Sequence, residues 1–386
     1  MRVALIAPSL AVTDASSHNA DHLFRLCGGN TGNFAFVFAL HQLLSHHETT
    51  IEGWTVDPAR IKDRYDLIVF ACANQLGPHT DLGWLADRLD AMDRPILAIG
   101  LGAQAADTSR PVELTPGTRR WLDVIAAHAP ASYPNIAVRG PYTQSQLQHF
   151  GHAARGTVIG CPSNYINPDP VLGETIVRWR AEHGITRIAV PAGLHLWPAL
   201  KAIEQHLVSL VEDCGGLYVA QSEIDMIRLA RDEAGAVAPD VLESIRAYIH
   251  PDLNTADFVR WMRRYATTFI DAPSWSDAMR KFDFVVGPRF HGVMLAIQAG
   301  VPGGVIAHDS RTLELCQTLA IPVRHHKDVP ADFKLDDLPK LFAFDGDLYD
   351  QKRAALGEIL ATMLRQAGLT PFLPFMDDMK KERAAA

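Results

Sequence analysis

Apolar runs that do not alternate with polar residues constrain this chain most. Val3–Ala7, Asp66–Ala73, Pro95–Gly100, Asn135–Val138 and Thr157–Ile159 are nearly continuous in this sense. A strand apolar on both faces must be covered on both faces, which is the condition of a parallel sheet. Helical patterns alternate with them at Asn33–Leu44, Thr80–Ala91, Pro116–Ala127 and Pro141–Phe150. Pro141 stands in the first turn, where its missing N–H costs nothing, and Gly151 is a natural stop. The segment Cys161-Pro-Ser-Asn-Tyr-Ile-Asn-Pro-Asp-Pro170 then breaks the series. A second one follows, with strands at Arg187–Val190, Leu217–Val219, Thr267–Ile270, Phe282–Val286 and Gly304–Ala307. Its helices are expected at Trp197–Val211, Ser274–Lys281, Gly292–Ala299 and Arg311–Leu319, with a mostly helical elaboration between Ser222 and Tyr265. At 386 residues, 48% of them hydrophobic, the chain exceeds one ordinary core. The expectation is α/β: two Rossmann-like domains in series, residues 1–165 and 166–340, with a crevice between them and a helical tail over 341–386.

Charge and cysteine usage exclude several classes. The formal net charge is -8 and no basic stripe appears, so nucleic acid is not the expected partner. Met1 leads straight into an apolar strand rather than a signal peptide, and no apolar run approaches the ~20 residues that span a bilayer. A cytoplasmic location is expected. The cysteines, Cys27, Cys72, Cys161, Cys214 and Cys316, are scattered and odd in number, as reduced thiols are. His46-His47 and His325-His326 lack the spacings of a closed zinc site, and no metal is expected.

The segment Asp283 to Pro302 reads as a buried strand, a sharp turn holding Arg289 and His291, and an apolar helix. Ligands of open α/β sheets bind where strands end, and a helix N-terminus adds donors for an anion. The other reading is that Arg289 ties down a loop and His291 caps the helix. Val138-Arg-Gly-Pro-Tyr-Thr143 repeats the theme in the first half. Two arginines, Arg139 and Arg289, facing one crevice point to a small dianion held by a guanidinium pair. Cys27-Gly-Gly-Asn-Thr-Gly-Asn33 offers Asn30 and Asn33 as a polar cradle, or merely a helix cap. Ile99-Gly-Leu-Gly-Ala-Gln104 puts glycines on a strand-to-loop turn, but Ala105 stands where a dinucleotide fingerprint needs its last glycine. Gln104, His195, Asp271 and His308 lie at or near strand ends and are further candidates for the crevice or an acceptor, or are ordinary loop residues.

These motifs resemble the polysaccharide pyruvyl transferase family. The resemblance rests on Ile99–Gln104, Val138-Arg-Gly140, Gly160-Cys-Pro-Ser163, Asn30-Thr-Gly-Asn33 and above all Val286-Gly-Pro-Arg-Phe-His-Gly292. Gly300-Val-Pro302 and His308-Asp-Ser-Arg311 extend it. The resemblance implies a fold similar to the two-domain GT-B glycosyltransferases. It implies transfer of the enolpyruvyl unit of phosphoenolpyruvate to a sugar as a pyruvate ketal. Arg139, Arg289 and Phe290 would bind the donor and His291 would be the general acid, with no cofactor beyond phosphoenolpyruvate as co-substrate. The acceptor would be a nucleotide sugar, a lipid-linked saccharide or a polymer, a lipid-linked one being met peripherally at the inner face of the membrane. Such chemistry calls for a histidine pKa near neutrality. Cys161 stands where members often have an acidic residue, Gly140 and Pro141 where they often have an acid and a serine, and Arg311 near a frequent lysine. Two other readings share the architecture. One is a nucleotide-sugar glycosyltransferase, although Pro322 stands where retaining members place a second glutamate after Glu314. The other is a non-catalytic carbohydrate-binding protein.

Overall fold

A computed structural model describes residues 1–104 and 110–376. Two parallel six-stranded sheets follow one another along the chain. The first contains β1 (Arg2–Ile6), β2 (Glu48–Glu52), β3 (Leu67–Ala71), β4 (Ile96–Leu101), β5 (Ile136–Val138) and β6 (Gly156–Val158). The second contains β7 (Ile188–Pro191), β8 (Leu217–Val219), β9 (Ala266–Thr267), β10 (Phe284–Gly287), β11 (Gly303–Ala307) and β12 (Val323–His325). These are the two Rossmann-like units that the apolar runs predict. β3 and β4 are buried along their whole length. Each large apolar side chain so buried contributes about 1.5–3 kcal/mol.

The strand orders are β2-β1-β3-β4-β5-β6 and β12-β11-β10-β7-β8-β9. In the first sheet the chain places β2 on one side of β1 and then crosses to lay β3 on the other. The second sheet makes the same reversal between β7 and β10. Each half therefore has a switch point, where two neighbouring strands send their connections to opposite faces and leave a crevice beyond their carboxyl ends.

Helices cover both sheets. The first half carries α1 (Ala20–Leu26), α2 (Asn33–Leu43), α3 (Pro58–Arg64), α4 (Gly83–Met92), α5 (Pro116–Ala127) and α6 (Pro141–His149). After them come α7 (Leu172–Glu182), α8 (Lys201–Cys214), α9 (Ile224–Ala230), α10 (Pro239–Ile249), α11 (Thr255–Tyr265), α12 (Ala272–Met279), α13 (Phe290–Gln298) and α14 (Ser310–Leu319). A short α15 (Leu338–Leu341) precedes the long α16 (Gly346–Gln366). Buried Arg353 on α16 donates to the carbonyls of Asn164 (3.0 Å), Asp169 (2.6 Å) and Asn167. Beyond α16, Phe372 N donates to Leu43 O at 2.9 Å, so the segment after α16 packs against the first half.

The halves are tied together near the crevice. Thr31 N donates to Gln221 O at 2.7 Å, and Val12 N to Ile270 O at 3.0 Å. Arg228 pairs with Asp21 at 2.8 Å, and both carboxylate oxygens of Glu233 accept from Ala20 N. One apolar cluster contains residues of both sheets, among them Val69 and Val305.

Candidate active site

Strand β5 delivers Arg139 to the crevice, where it is only 5% exposed. The residue beside it has to be small: a Cβ on Gly102 would stand 3.1 Å from Arg139 Cδ and 3.2 Å from the Ala73 carbonyl. Arg139 Nη1 donates to Asn74 Oδ1 at 2.9 Å. Its Nε and Nη2 are buried without a partner. Across the crevice β10 delivers Arg289, whose Nε donates to Ala192 O at 3.3 Å and whose guanidinium lies 4.7 Å over the Trp197 ring. Its Nη2 is also buried and unpartnered.

A third guanidinium joins them. Asp309 caps α14 by accepting from Thr312 N at 2.8 Å, which sets Arg311 in the first turn. Arg311 pairs with Asp309 at 3.0 Å and donates to Gln104 Oε1 at 3.1 Å. The three arginines line a cavity of about 150 Å³ together with Asn30, Asn33, Phe290, His291 and His308. No carboxylate among the described residues lines it. Glu204 and Glu314 stand behind the arginines, both with carboxyls raised by burial. Glu204 accepts from Gly193 N at 2.9 Å and Tyr218 OH at 2.5 Å. Glu314 accepts from Tyr142 N and Thr143 N at the start of α6, so it serves as a helix cap.

His291 sits within the first turn of α13, because the helix begins at Phe290 rather than at the expected Gly292. Its Nε2 lies 3.5 Å from Cys161 Sγ, and Ser163 Oγ donates to that sulfur at 3.1 Å. The Gly-rich loop closes the other side. A Cβ on Gly32 would stand 2.9 Å from Asn30 Oδ1 and 3.2 Å from His291 Cβ, so a side chain at the start of α2 would press on α13 and move Asn30. Asn33 Nδ2 is turned back to Cys27 O at 2.9 Å.

The electrostatics are those of a site with excess positive charge. Burial, with Arg139 and Arg311 nearby, holds His291 down to about 3. Burial holds His308 down to about 4; Asp309 pulls the other way, while Arg289 and Arg311 add to the depression. Burial also lowers Arg139, and lowers Arg289 to about 10, yet a guanidinium stays charged at neutral pH. The chain's own groups thus keep His291 neutral at pH 7, in contrast to the near-neutral pKa expected for a proton donor.

Two expected residues lie off this cavity. Asp271 accepts from Ser274 N at 2.7 Å and caps α12. His195 lies in the loop after β7, where burial lowers its pKa against the pull of Glu223 and Asp225. Both stand near strand ends, as expected, but such positions also supply helix caps and loop residues. Gln104 reaches the cavity only through Arg311, and Ala105 lies outside the described residues. Conversely, the sequence carries Arg311 and Cys161 within motifs of the resemblance and as departures from its pattern, but not as candidates for the site. The strand-end rule applied to β11 would have found Arg311. Cys161 is 130 positions from His291 and gives no local signal.

A family model for polysaccharide pyruvyl transferase matches residues 8–310. The chain belongs to the polysaccharide pyruvyl transferase family. It is therefore a transferase of polysaccharide biosynthesis, as the Arg289-Phe-His291 segment implies. No curated protein matches the sequence significantly. Among solved structures this family member is similar to S. aureus MnaA in a co-structure with UDP (TM-score 0.47, 11% identity, 96% of this chain and 98% of that one). It is also similar to Anabaena HepE in complex with UDP-glucose (TM-score 0.47, 12% identity, 95% and 98%). A third is UDP-N-acetylglucosamine 2-epimerase from Rickettsia bellii (TM-score 0.46, 9% identity, 95% and 97%). These likenesses are distant, and the strand order defines the fold without them. No helix of this transferase, among the described residues, is long and apolar enough to cross a membrane.

Among the described residues, one group of metal-ligand type occurs, and it lies away from the site. Asp14, His18 and His22 bring their ligand atoms within 4.8 Å of one another. The group is largely exposed and internally paired: His22 Nε2 is 3.1 Å from Asp14, and Arg25 approaches His22 Nδ1 at 3.1 Å. The His46-His47 pair instead meets the segment after α16, His47 Nε2 accepting from Thr370 N at 2.8 Å.

Proposed function

We propose that this transferase uses phosphoenolpyruvate as donor and builds a pyruvate ketal on a saccharide. The observation that carries the reading is one small cavity holding three guanidiniums, two of them with buried, unpartnered N–H groups, and lined by no carboxylate among the described residues. An unsatisfied buried donor costs roughly 1–3 kcal/mol, so a ligand with anionic acceptors at both ends is strongly favoured. Phosphoenolpyruvate has a phosphate at one end and a carboxylate at the other. At about 150 Å³ the cavity suits a three-carbon anion. It is below the ~300 Å³ at which drug-sized ligand pockets begin, so a nucleotide sugar fits it poorly.

In this reading Arg139 and Arg289 grip the donor, Arg311 adds charge, and Phe290 supplies an apolar wall. His291 transfers its proton to the donor's methylene carbon. The chain alone holds His291 neutral, so the donor must charge its own acid: negative charge beside the imidazole opposes Arg139 and Arg311 and raises its pKa. Protonation makes a methyl group and an oxocarbenium-like neighbouring carbon. A sugar hydroxyl adds to that carbon, phosphate leaves as its C–O bond breaks, and a second hydroxyl closes the ketal. One hydroxyl proton is balanced by the new methyl hydrogen and the other leaves with phosphate. The acceptor is a nucleotide sugar, a lipid-linked saccharide or a polymer.

Thermal-shift titration tests the donor. Phosphoenolpyruvate should raise the melting temperature of the wild-type protein and leave Arg289→Ala unmoved. Absence of any shift in the wild type contradicts the assignment.

A further inference from the structure

The arginine cavity lies between the two halves, beyond β5 of the first sheet and β10 and β11 of the second. The first sheet has its own switch point between β1 and β3, and nothing in the donor chemistry uses it. A larger cavity, about 490 Å³, opens there. Ala7 beyond β1 and Ala71 at the end of β3 form its floor, and Gly53 and Trp54 beyond β2 form one wall. Position and size are those of a ligand site in an open parallel sheet.

Its chemistry differs from that of the arginine cavity. Trp54 and Phe36 offer aromatic surface, Ser9 and Thr55 hydroxyls, and Asn33 and Gln75 amides. Arg25 is the single charged residue lining it among the described ones, and its guanidinium is already near His22 Nδ1. Trp54 Nε1 is buried with no partner. Aromatic surface beside neutral donors and acceptors matches a sugar, which has an apolar C–H face and a rim of hydroxyls. It does not match a phosphate.

The two cavities are neighbours. Asn33 and Ala73 line both. Phe36, a wall of the larger cavity, has its ring 5.6 Å from the His291 ring.

We infer that the larger cavity seats the acceptor: an uncharged pyranose lying against Trp54, with its reacting hydroxyls directed to the seam at Asn33 and Ala73. This rests on the pyruvyl-transfer reading for its role, but the binding of a sugar there does not depend on the donor.

The full chain is tested by saturation-transfer NMR with methyl pyranosides of galactose, glucose, mannose and N-acetylglucosamine. Gly53 lines the cavity and a Cβ added there meets nothing within 4 Å, so Gly53→Trp introduces bulk at this wall with no clash at its Cβ. At least one glycoside should receive saturation from the wild type and from Arg289→Ala. Gly53→Trp and Trp54→Ala should weaken its binding by about tenfold, the scale of a lost aromatic contact. Phosphoenolpyruvate should still shift the melting temperature of Gly53→Trp. The inference is overturned by undiminished transfer in Gly53→Trp, by loss in Arg289→Ala alone, or by no transfer to the wild type from any glycoside. If phosphoenolpyruvate fails to bind while glycoside binding is lost in Gly53→Trp, the donor reading falls and the sugar site stands.

Discussion

Two neighbouring cavities of this molecule, both at the ends of parallel strands, differ sharply in chemistry. Between the halves, beyond β5, β10 and β11, the crevice is small and crowded with cations, two of which keep buried donors unpaired. Beyond β1 and β3 it is more than three times as large, carries one cation and is walled by Trp54 and Phe36. The backbone provides a crevice in each half, and the side chains decide what it attracts. Cations in a water-poor cavity select a small dianion. Aromatic and amide walls select a neutral body with many hydroxyls. The proposed transfer needs both kinds of site within reach of one proton donor, and the His291 ring lies 5.6 Å from the Phe36 ring that walls the larger cavity.

The comparison breaks most decisively at His291. His291→Ala should lower turnover by about 100–10,000-fold, the usual share of a positioned acid, while phosphoenolpyruvate still binds. Steady-state rates and calorimetric affinity measured on the same preparation check this; near-normal turnover removes the acid role. Next in size are the clamps. Arg139→Ala and Arg289→Ala should each weaken donor binding by about a hundredfold, as truncation of a buried charge contact does, with little change in glycoside binding. Equal loss of both ligands would erase the distinction between the cavities.

A smaller effect tests the electrostatics. His291 and His308 are held at about 3 and about 4, below the ordinary value near 6.5. The unfolded chain therefore takes up protons at pH values where the folded chain does not. Their contribution to stability is complete above about 6.5 and is lost as pH falls toward the depressed values. Melting temperature should drop between pH 7 and pH 5, and by less in His291→Asn. The smallest expected effect is at Asp271. As a cap of α12, its replacement by alanine should cost about 1 kcal/mol of stability, read by urea unfolding, and leave donor affinity unchanged. A changed affinity would return Asp271 to the site.

The sequence makes the two-sheet architecture legible because most strands are buried on both faces, so their apolar runs are continuous. It hides β2, Glu48–Glu52, because an edge strand pairs on one side only and can keep polar residues; Glu48 and Thr50 are exposed, Thr49 and Ile51 half-buried, and only Glu52 is buried. It also hides the short β12, which is half-buried throughout. Arg139 and Arg289 are legible because a cation at a strand end is unusual enough to notice. Asp271 and His195 show the limit of that rule, since helix starts and loops there demand polar residues for their own reasons. What no local pattern carries is the meeting of Cys161, His291 and Phe36, or the charge imbalance that holds His291 neutral. Those arise only when both halves close on the crevice.

The central claim is that the donor charges its own acid between Arg139 and Arg289. Calorimetric titration of phosphoenolpyruvate at pH 7, in two buffers of different ionisation enthalpy, tests it most directly. The account predicts binding coupled to proton uptake, lost in His291→Ala with affinity largely kept. Tight binding with no proton uptake, or uptake unchanged in His291→Ala, would contradict it.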